Sequence, residues 1–549
     1  MQSAIRRICL SSLIRIRCCF GITLLSIGAC FVAESGELVG RVLDAESGEL
    51  LPSRVYVQSD SGEPFTVSSQ ADSGSAVVYD VRRGQSQEVH TTLSAHPFSV
   101  ELPKGRYELT VERGKEYVPS TQVIEMGAEQ KALSIHLERW SEVANEGWFS
   151  GDTHVHRSLP DLPNLIMAED LNVALPLTYW VTEFQETPLE NSKQPLESRP
   201  RPELITVNSD HVIWPVNTEY EIFTVNRKRH TLGAVFLLNH REPLDLPAHP
   251  VKHVAKVARQ QGAILDLDKH NWPWSMMLLP VADVDLYELT NNHLWRTSFL
   301  YGDWYPEYFP EYLNLPHGPE RYSEESWIRW GFHNYYALLN CGFDLMPSAG
   351  TASGVHPVPL GFGRVYVHLP QGFDFDAWMA GLEEGRSFVT TGPMLDVRFN
   401  GHLPGARFQA TASDGLSLQV AGQGKWYRSI EAIELVVNGK PIRRIEPEVH
   451  ADADGELSFV ANVEIRGSSW VAVRCFARTP DGRLRFAHSA PVHVDVKGRP
   501  LRARKAEAEY LVNRVAAELE RHQDVLPPEA LAEYAEALRF YRDKLDNAR

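Results

Sequence analysis

Hydrophobic and polar positions follow three regimes along this chain. Between 36 and 140 they alternate with period two over short runs such as 38–44, 53–57 and 107–111, separated by turn signals at Ser47-Gly48 and Lys104-Gly105. That is the signature of half-buried strands, and it predicts an all-β N-terminal module. From 141 to 395 short apolar runs alternate with helical spacing. Residues 249–261 carry apolar positions on one helix face, and 262–268 and 281–289 then read as buried strands. This βα alternation predicts a distorted β/α barrel whose chemistry lies at the C-terminal strand ends. Period two returns over 416–420, 430–437 and 470–477, predicting a second β-sandwich over 396–497. Residues 503–546 have helical spacing broken at Pro527-Pro528, which predicts a tail of two helices.

The first 33 residues stand outside these regimes. Arg6, Arg7, Arg15 and Arg17 precede an apolar run from Phe20 to Ala33, too short for a comfortable membrane span and shaped like a secretory signal. The fold class expected is therefore multidomain: signal peptide 1–33, β-sandwich 36–140, barrel 141–395, β-sandwich 396–497 and helical tail 503–546. Ile27-Gly28-Ala29-Cys30 resembles a bacterial lipobox, which makes Cys30 a candidate lipid anchor; ordinary cleavage a few residues later is the alternative. Export to the periplasm or the outer membrane follows as an expectation. Beyond the leader only Cys341 and Cys475 remain, too few for a disulfide scaffold.

The full chain has 549 residues and a net charge of −17. Such an acidic balance argues against nucleic acid as a bulk partner. A small-molecule or glycan-derived substrate is the expectation. An anionic substrate would need a local cation.

Candidate chemistry gathers at four predicted strand ends. His154 and His156 share one strand face, with Asp152 beside them and Asp161 five residues on; two imidazoles at i and i+2 can hold one divalent cation. Glu219 and Glu221 come next, followed by His230 and His240, between which spacing does not choose. Asp266, Asp268, Lys269 and His270 follow one apolar strand, and Glu288 and His293 follow another. Buried polar knots of this kind are costly unless paired or shared by a cation. The metal-ligand candidates are His154, His156, Asp161, Glu219, His230, His270, Glu288 and His293. Asp268 or Glu169 is the candidate proton acceptor, and Lys269 the candidate stabiliser of developing negative charge. Ligand softness points to one or two Zn²⁺ or Mn²⁺ ions. Trp272, Trp274, Trp295, Tyr301 and Trp304 are either cleft or core.

These motifs resemble the PHP-type metallohydrolases, in particular the carbaryl-hydrolase-like (CehA/McbA) branch. In that family G-D-x-H-x-H opens the barrel, matching 151–156. The acid of the S-D-G segment matches Asp161, the G-x-E acid matches Glu219 or, less well, Glu221, the H-P element matches 262–270, and E-x-x-N matches Glu288 and Asn291. R-x-Y-V at 364–367 and G-R-S-F-x-T-x-G-P at 385–393 match the closing elements. The T-D-H and S-D-x-H motifs are degenerate: Thr178-Tyr179-Trp180 and 348–356 stand in their places, leaving Glu169, His293 or His356 to fill in. The N-terminal module resembles carboxypeptidase-regulatory-like or transthyretin-like sandwiches through 40–48 and 102–107, and reads as a spacer. The resemblance implies metal-dependent hydrolysis of an ester, carbamate or phosphoester. The rival is a non-catalytic glycan- or peptide-binding protein.

Export predicts that protein purified from its native host lacks roughly 30 N-terminal residues by intact mass. A full-length cytosolic product overturns that expectation.

Overall fold

The computed structural model describes residues 34–190, 193, 199–295, 309–310, 312–313, 323–411, 413–447 and 455–549. The leader, Cys30, Tyr301 and Trp304 lie outside them. The protein is multidomain and β-rich. Among the described residues no helix is long and apolar enough to cross a membrane.

The site-bearing region starts with β1 (Trp148–Val155), buried along its whole length. It pairs in parallel with β2 (Val173–Pro176), and the turn between them contains the short helix α1 (Leu162–Ala168). A second sheet follows: β3 (Tyr179–Glu183), β4 (Thr218–Val225), β5 (Lys228–Leu238), β6 (Ile264–Leu267), β7 (Leu286–Thr290) and β8 (Met346–Ala349) lie side by side in chain order. Helices α2 (Val251–Gln260), α3 (Ser275–Ala282) and α4 (Glu324–Asn340) connect the later strands.

The expected barrel is corrected in two respects. Among the described strands the sheet does not close into a ring. Nor is it wholly parallel, because β4 and β5 form a hairpin around Asn226-Arg227. Both turn residues have left-handed backbones, at φ 52° and 59°, the geometry of a tight two-residue hairpin loop. That turn reverses the chain before any helix can intervene.

The boundary expected near 395 does not separate two independent sheets. β1 pairs antiparallel with β9 (Arg364–His368), and β9 with β10 (Ser387–Thr390). β10 then pairs with the strand Leu484–Ser489, so one twelve-stranded sheet runs from the central region into the C-terminal β region. Trp148, Tyr366 and Phe388 share an apolar cluster with Leu418, Val473 and Val492. The C-terminal helices α5 (Lys505–His522) and α6 (Pro528–Asp546) belong to the central core rather than forming a free tail. Leu511, Tyr534 and Tyr541 lie in it, and the Arg514 guanidinium donates to the carbonyls of His270 and Trp272 at 2.7 and 2.8 Å.

The N-terminal module is more than a spacer. Its two sheets enclose their own core, and its polar edge braces the loops around β1. The Tyr79 hydroxyl donates to the His356 carbonyl and accepts from the Gly354 amide at 2.8 Å. Glu88 accepts from the Trp295 indole at 2.6 Å, holding a residue whose φ is +82°. Arg54 ion-pairs with Glu112 and with Glu169 of the central region, all three largely buried. Removing that guanidinium strands two carboxylates, so Arg54→Met should cost about 3–5 kcal/mol in denaturant unfolding. A loss within experimental error would show that the pair is solvent-relaxed.

Candidate metal centre

The end of β1 is pinned by backbone pairing to the segment that follows β8. The Ala352 amide donates to the His154 carbonyl, and the His156 amide to the Ser353 carbonyl, both at 2.7 Å. Asp152 ties the same segment from its side chain. It accepts from the Thr351 hydroxyl at 2.6 Å and from the amides of Thr351, Gly361 and His154. Asp152 is thus a scaffold carboxylate, and burial raises it to about 6 against these hydrogen bonds. The close approach requires glycine at two positions. A Cβ at Gly350 would lie 2.2 Å from both Glu288 Oε1 and His154 Cβ, and one at Gly354 would lie 2.1 Å from the His156 carbonyl oxygen. Asp266 on β6 lies behind the site, accepting from Ser348 at 2.7 Å and Thr153 at 3.1 Å, and burial pushes it up to about 7.

The histidine rings therefore have fixed positions. His154 Nε2 lies 3.2 Å from His156 Nε2, and His156 Nε2 lies 3.4 Å from Glu219 Oε2. On its other side, His154 Nδ1 is 2.9 Å from Glu288 Oε1 and 3.8 Å from Asp268 Oδ1. Two three-donor groups result, His154–His156–Glu219 and His154–Asp268–Glu288, all buried. β4 presents Glu219 opposite Phe236 of β5, and the Phe236 ring packs 4.3 Å from that of His154.

The donor set fits a divalent ion. With metal–ligand bonds near 2.0–2.1 Å, the edge of a coordination tetrahedron is about 3.3 Å, matching the 3.2 and 3.4 Å separations in the first group. Glu288 Oε2 is buried and makes no hydrogen bond among the described residues. A neutral imidazole has one lone pair. If His154 Nδ1–H donates to Glu288, its Nε2 lone pair faces His156, and Glu288 orients the ring from behind. This tautomer is assigned from the hydrogen-bond partners.

Lysines neutralise two of these carboxylates. Lys193 Nζ is 3.1 Å from Glu219 Oε2 and 2.6 Å from Glu221 Oε2. Lys269 Nζ pairs with both oxygens of Asp268, which also accepts from the Trp272 indole at 2.8 Å. Burial holds both His154 and His156 well below the usual imidazole range, so they are neutral, ligating forms. Burial likewise pushes Glu219 up to about 8, with Lys193 opposing and Glu221 and Asp268 adding, and pushes Glu288 well above the carboxylate range.

His154, His156, Glu219, Glu288 and Asp268 are thus brought together. The structure does not bring the other candidates into either donor group. Glu169 is committed to Arg54 in the interface with the N-terminal module and is not placed to accept a proton at the histidines. Asp161 accepts from Ser158 at 2.6 Å at the start of α1. His230 lies 2.7 Å from His522 of α5. It is also six residues along β5 from the partner of Glu219, about 20 Å away at strand rise. His240 bonds to Thr218 and the Glu242 carbonyl. His270 and His293 are buried against the Trp327 ring, at 4.6 and 4.0 Å between centroids. His293 remains within electrostatic reach of Lys269 and His356, and His356 within reach of His154. Trp272 and Trp274 are core. Lys193 is the functional residue that sequence reasoning missed; a lone lysine in a polar stretch with no motif around it carries no signal.

No family model matches the chain, and no curated protein matches it. Among solved structures it is similar to a two-domain protein from Bacteroides vulgatus containing a predicted PHP-like metal-dependent phosphoesterase. The identity is 11%, the match covers 62% of this chain and 95% of that one, and the TM-score is 0.28. At that TM-score the likeness carries no argument about this chain.

Ligation requires Glu219 to lose a proton that burial holds up to about pH 8. Zinc affinity should therefore climb between pH 6 and 8.5, by up to about tenfold per pH unit for each proton released. The metal-free protein should drift the other way: stability from a raised carboxylate is complete below its unfolded pKa and is lost as pH rises through the folded value. Calorimetric titration across that range checks the first trend, and a flat profile removes Glu219 from the ligand set.

Proposed function

We propose that this chain is an exported metal-dependent hydrolase acting on an ester, carbamate or phosphoester. The observation that carries the reading is the convergence of three buried donors, His154, His156 and Glu219, with His156 Nε2 at 3.2 and 3.4 Å from the other two. The metal-hydrolase resemblance in the sequence motifs agrees with it. Zn²⁺ and Mn²⁺ suit the mixed nitrogen and carboxylate donors. A bound divalent cation would supply a Lewis acid that acidifies water and polarises the scissile group.

The chain's own residues do the rest. Glu288 holds His154 in one tautomer through the 2.9 Å contact to Nδ1. Asp268, which accepts from Lys269 and the Trp272 indole, would be the proton acceptor. The Lys269 ammonium, 5.8 Å from the Trp272 ring centroid and closed off from solvent, would stabilise negative charge as it develops. Export rests on the leader at 1–33 and stays with the proposal, as does the carbaryl-hydrolase-like branch.

The non-catalytic reading has one observation in its favour. Where the family's T-D-H would supply its Asp and His, this chain has Tyr179 and Trp180, and the Trp180 indole donates to Glu221 at 3.2 Å. A panel of p-nitrophenyl esters and phosphoesters and an aryl carbamate separates the two. Chelator should abolish turnover and Zn²⁺ or Mn²⁺ restore it, and Glu288→Gln should lower it about 10–100-fold. Turnover that survives full metal removal sinks the metal mechanism. A loaded protein that turns over nothing in the panel transfers support to the binding reading.

A further inference from the structure

The two lysines at the site are placed where cations belong. Glu219, Glu221, Asp268 and Glu288 are all buried, as is the Lys269 side chain, and Lys193 is closed in among them. Each ammonium already sits against carboxylate oxygens, Lys193 on Glu219 and Glu221 and Lys269 on Asp268, so fewer carboxylates are left for divalent ions than the cluster would otherwise offer.

The contacts point the same way at each end. Glu219 Oε2 faces His156 at 3.4 Å on one side and Lys193 Nζ at 3.1 Å on the other. The same ammonium reaches Glu221 at 2.6 Å, so it bridges two carboxylates as a second ion would. The indole of Trp180 donates to Glu221 at 3.2 Å, and its ring lies 5.2 Å from Lys193 Nζ, adding a cation–π contact to the same pair. At the other end Lys269 Nζ takes both oxygens of Asp268. His154 lies between the two ends and has a single lone pair, so it cannot ligate one ion through Nε2 and another through Nδ1 while remaining a neutral imidazole.

We propose that this is a site for one divalent cation, in which the tethered ammonium groups of Lys193 and Lys269 occupy the places of further cations. The proposal rests on the reading that the site binds metal, and makes no use of the reaction. It assigns Lys193 as a positioning residue that sets metal stoichiometry.

Zinc titration by calorimetry, with elemental analysis of the gel-filtered protein, tests it. The wild type should saturate at one equivalent. Lys193→Met leaves Glu219 and Glu221 uncompensated and should take up a second, while Lys193→Arg, which keeps the charge, should stay at one. Circular dichroism melts of each variant verify folding, and Lys269→Met offers the same gain at the other end if Lys193→Met does not fold. Two equivalents in the wild type, or no gain in either folded methionine variant, overturns the assignment while leaving a metal site standing. No zinc uptake by the wild type overturns the metal reading and the assignment with it.

Discussion

Buried negative charge is the constraint on which the rest of this molecule depends. Glu219, Glu221, Asp268 and Glu288 meet a pair of neutral imidazoles in a region closed to solvent. An isolated carboxylate in such surroundings either takes a proton or finds a cation. The raised values of Glu219 and Glu288 are the first response. Lys193 and Lys269 are the second, and a bound divalent ion would be a third. The 3.2 and 3.4 Å separations of His156 from His154 and Glu219 would suit such an ion.

Rigidity around the pair follows from the same constraint, because a ligand set that relaxes loses its selectivity. No single domain supplies it. The segment after β8 is clamped to β1 by backbone bonds and by Asp152, and from outside by Tyr79 of the N-terminal module. The loop after β6 is held by Arg514 of the C-terminal helices. β1 itself lies within a sheet that extends into the C-terminal β region. The flanking modules therefore act as walls of the site, although each reads from sequence as an independent unit.

What the sequence makes legible is what short-range pattern encodes. The H-x-H at a strand end, the carboxylates Asp268 after β6 and Glu288 on β7, and Glu219 in preference to Glu221 were all within reach of a motif argument, as were the β and helical regimes. Position along a strand was not. His230 looks equivalent to Glu219 until the Asn226-Arg227 turn is recognised, and then it lies at the far end of the hairpin. Glu169 looks like a base under the histidines until Arg54, more than a hundred residues earlier, claims it. Lys193 and the docking of the terminal helices depend on long-range contacts with no local periodicity.

His270 and His293 show why residue type near a strand end is an incomplete guide to ligation. Both follow apolar strands and both are buried, as a ligand would be. Yet a metal-bound imidazole is normally oriented by an acceptor on its other nitrogen, as Glu288 orients His154. The His270 ring nitrogens make no hydrogen bond among the described residues, and its ring is boxed by Trp327, Trp330 and Tyr287. His293 stacks on Trp327 at an interplanar angle of 6°. Aromatic faces fix the plane of an imidazole but do not choose its tautomer, whereas a carboxylate does. His154 differs from His270 in what stands behind its ring: Glu288 on β7 faces its Nδ1, whereas aromatic rings surround His270.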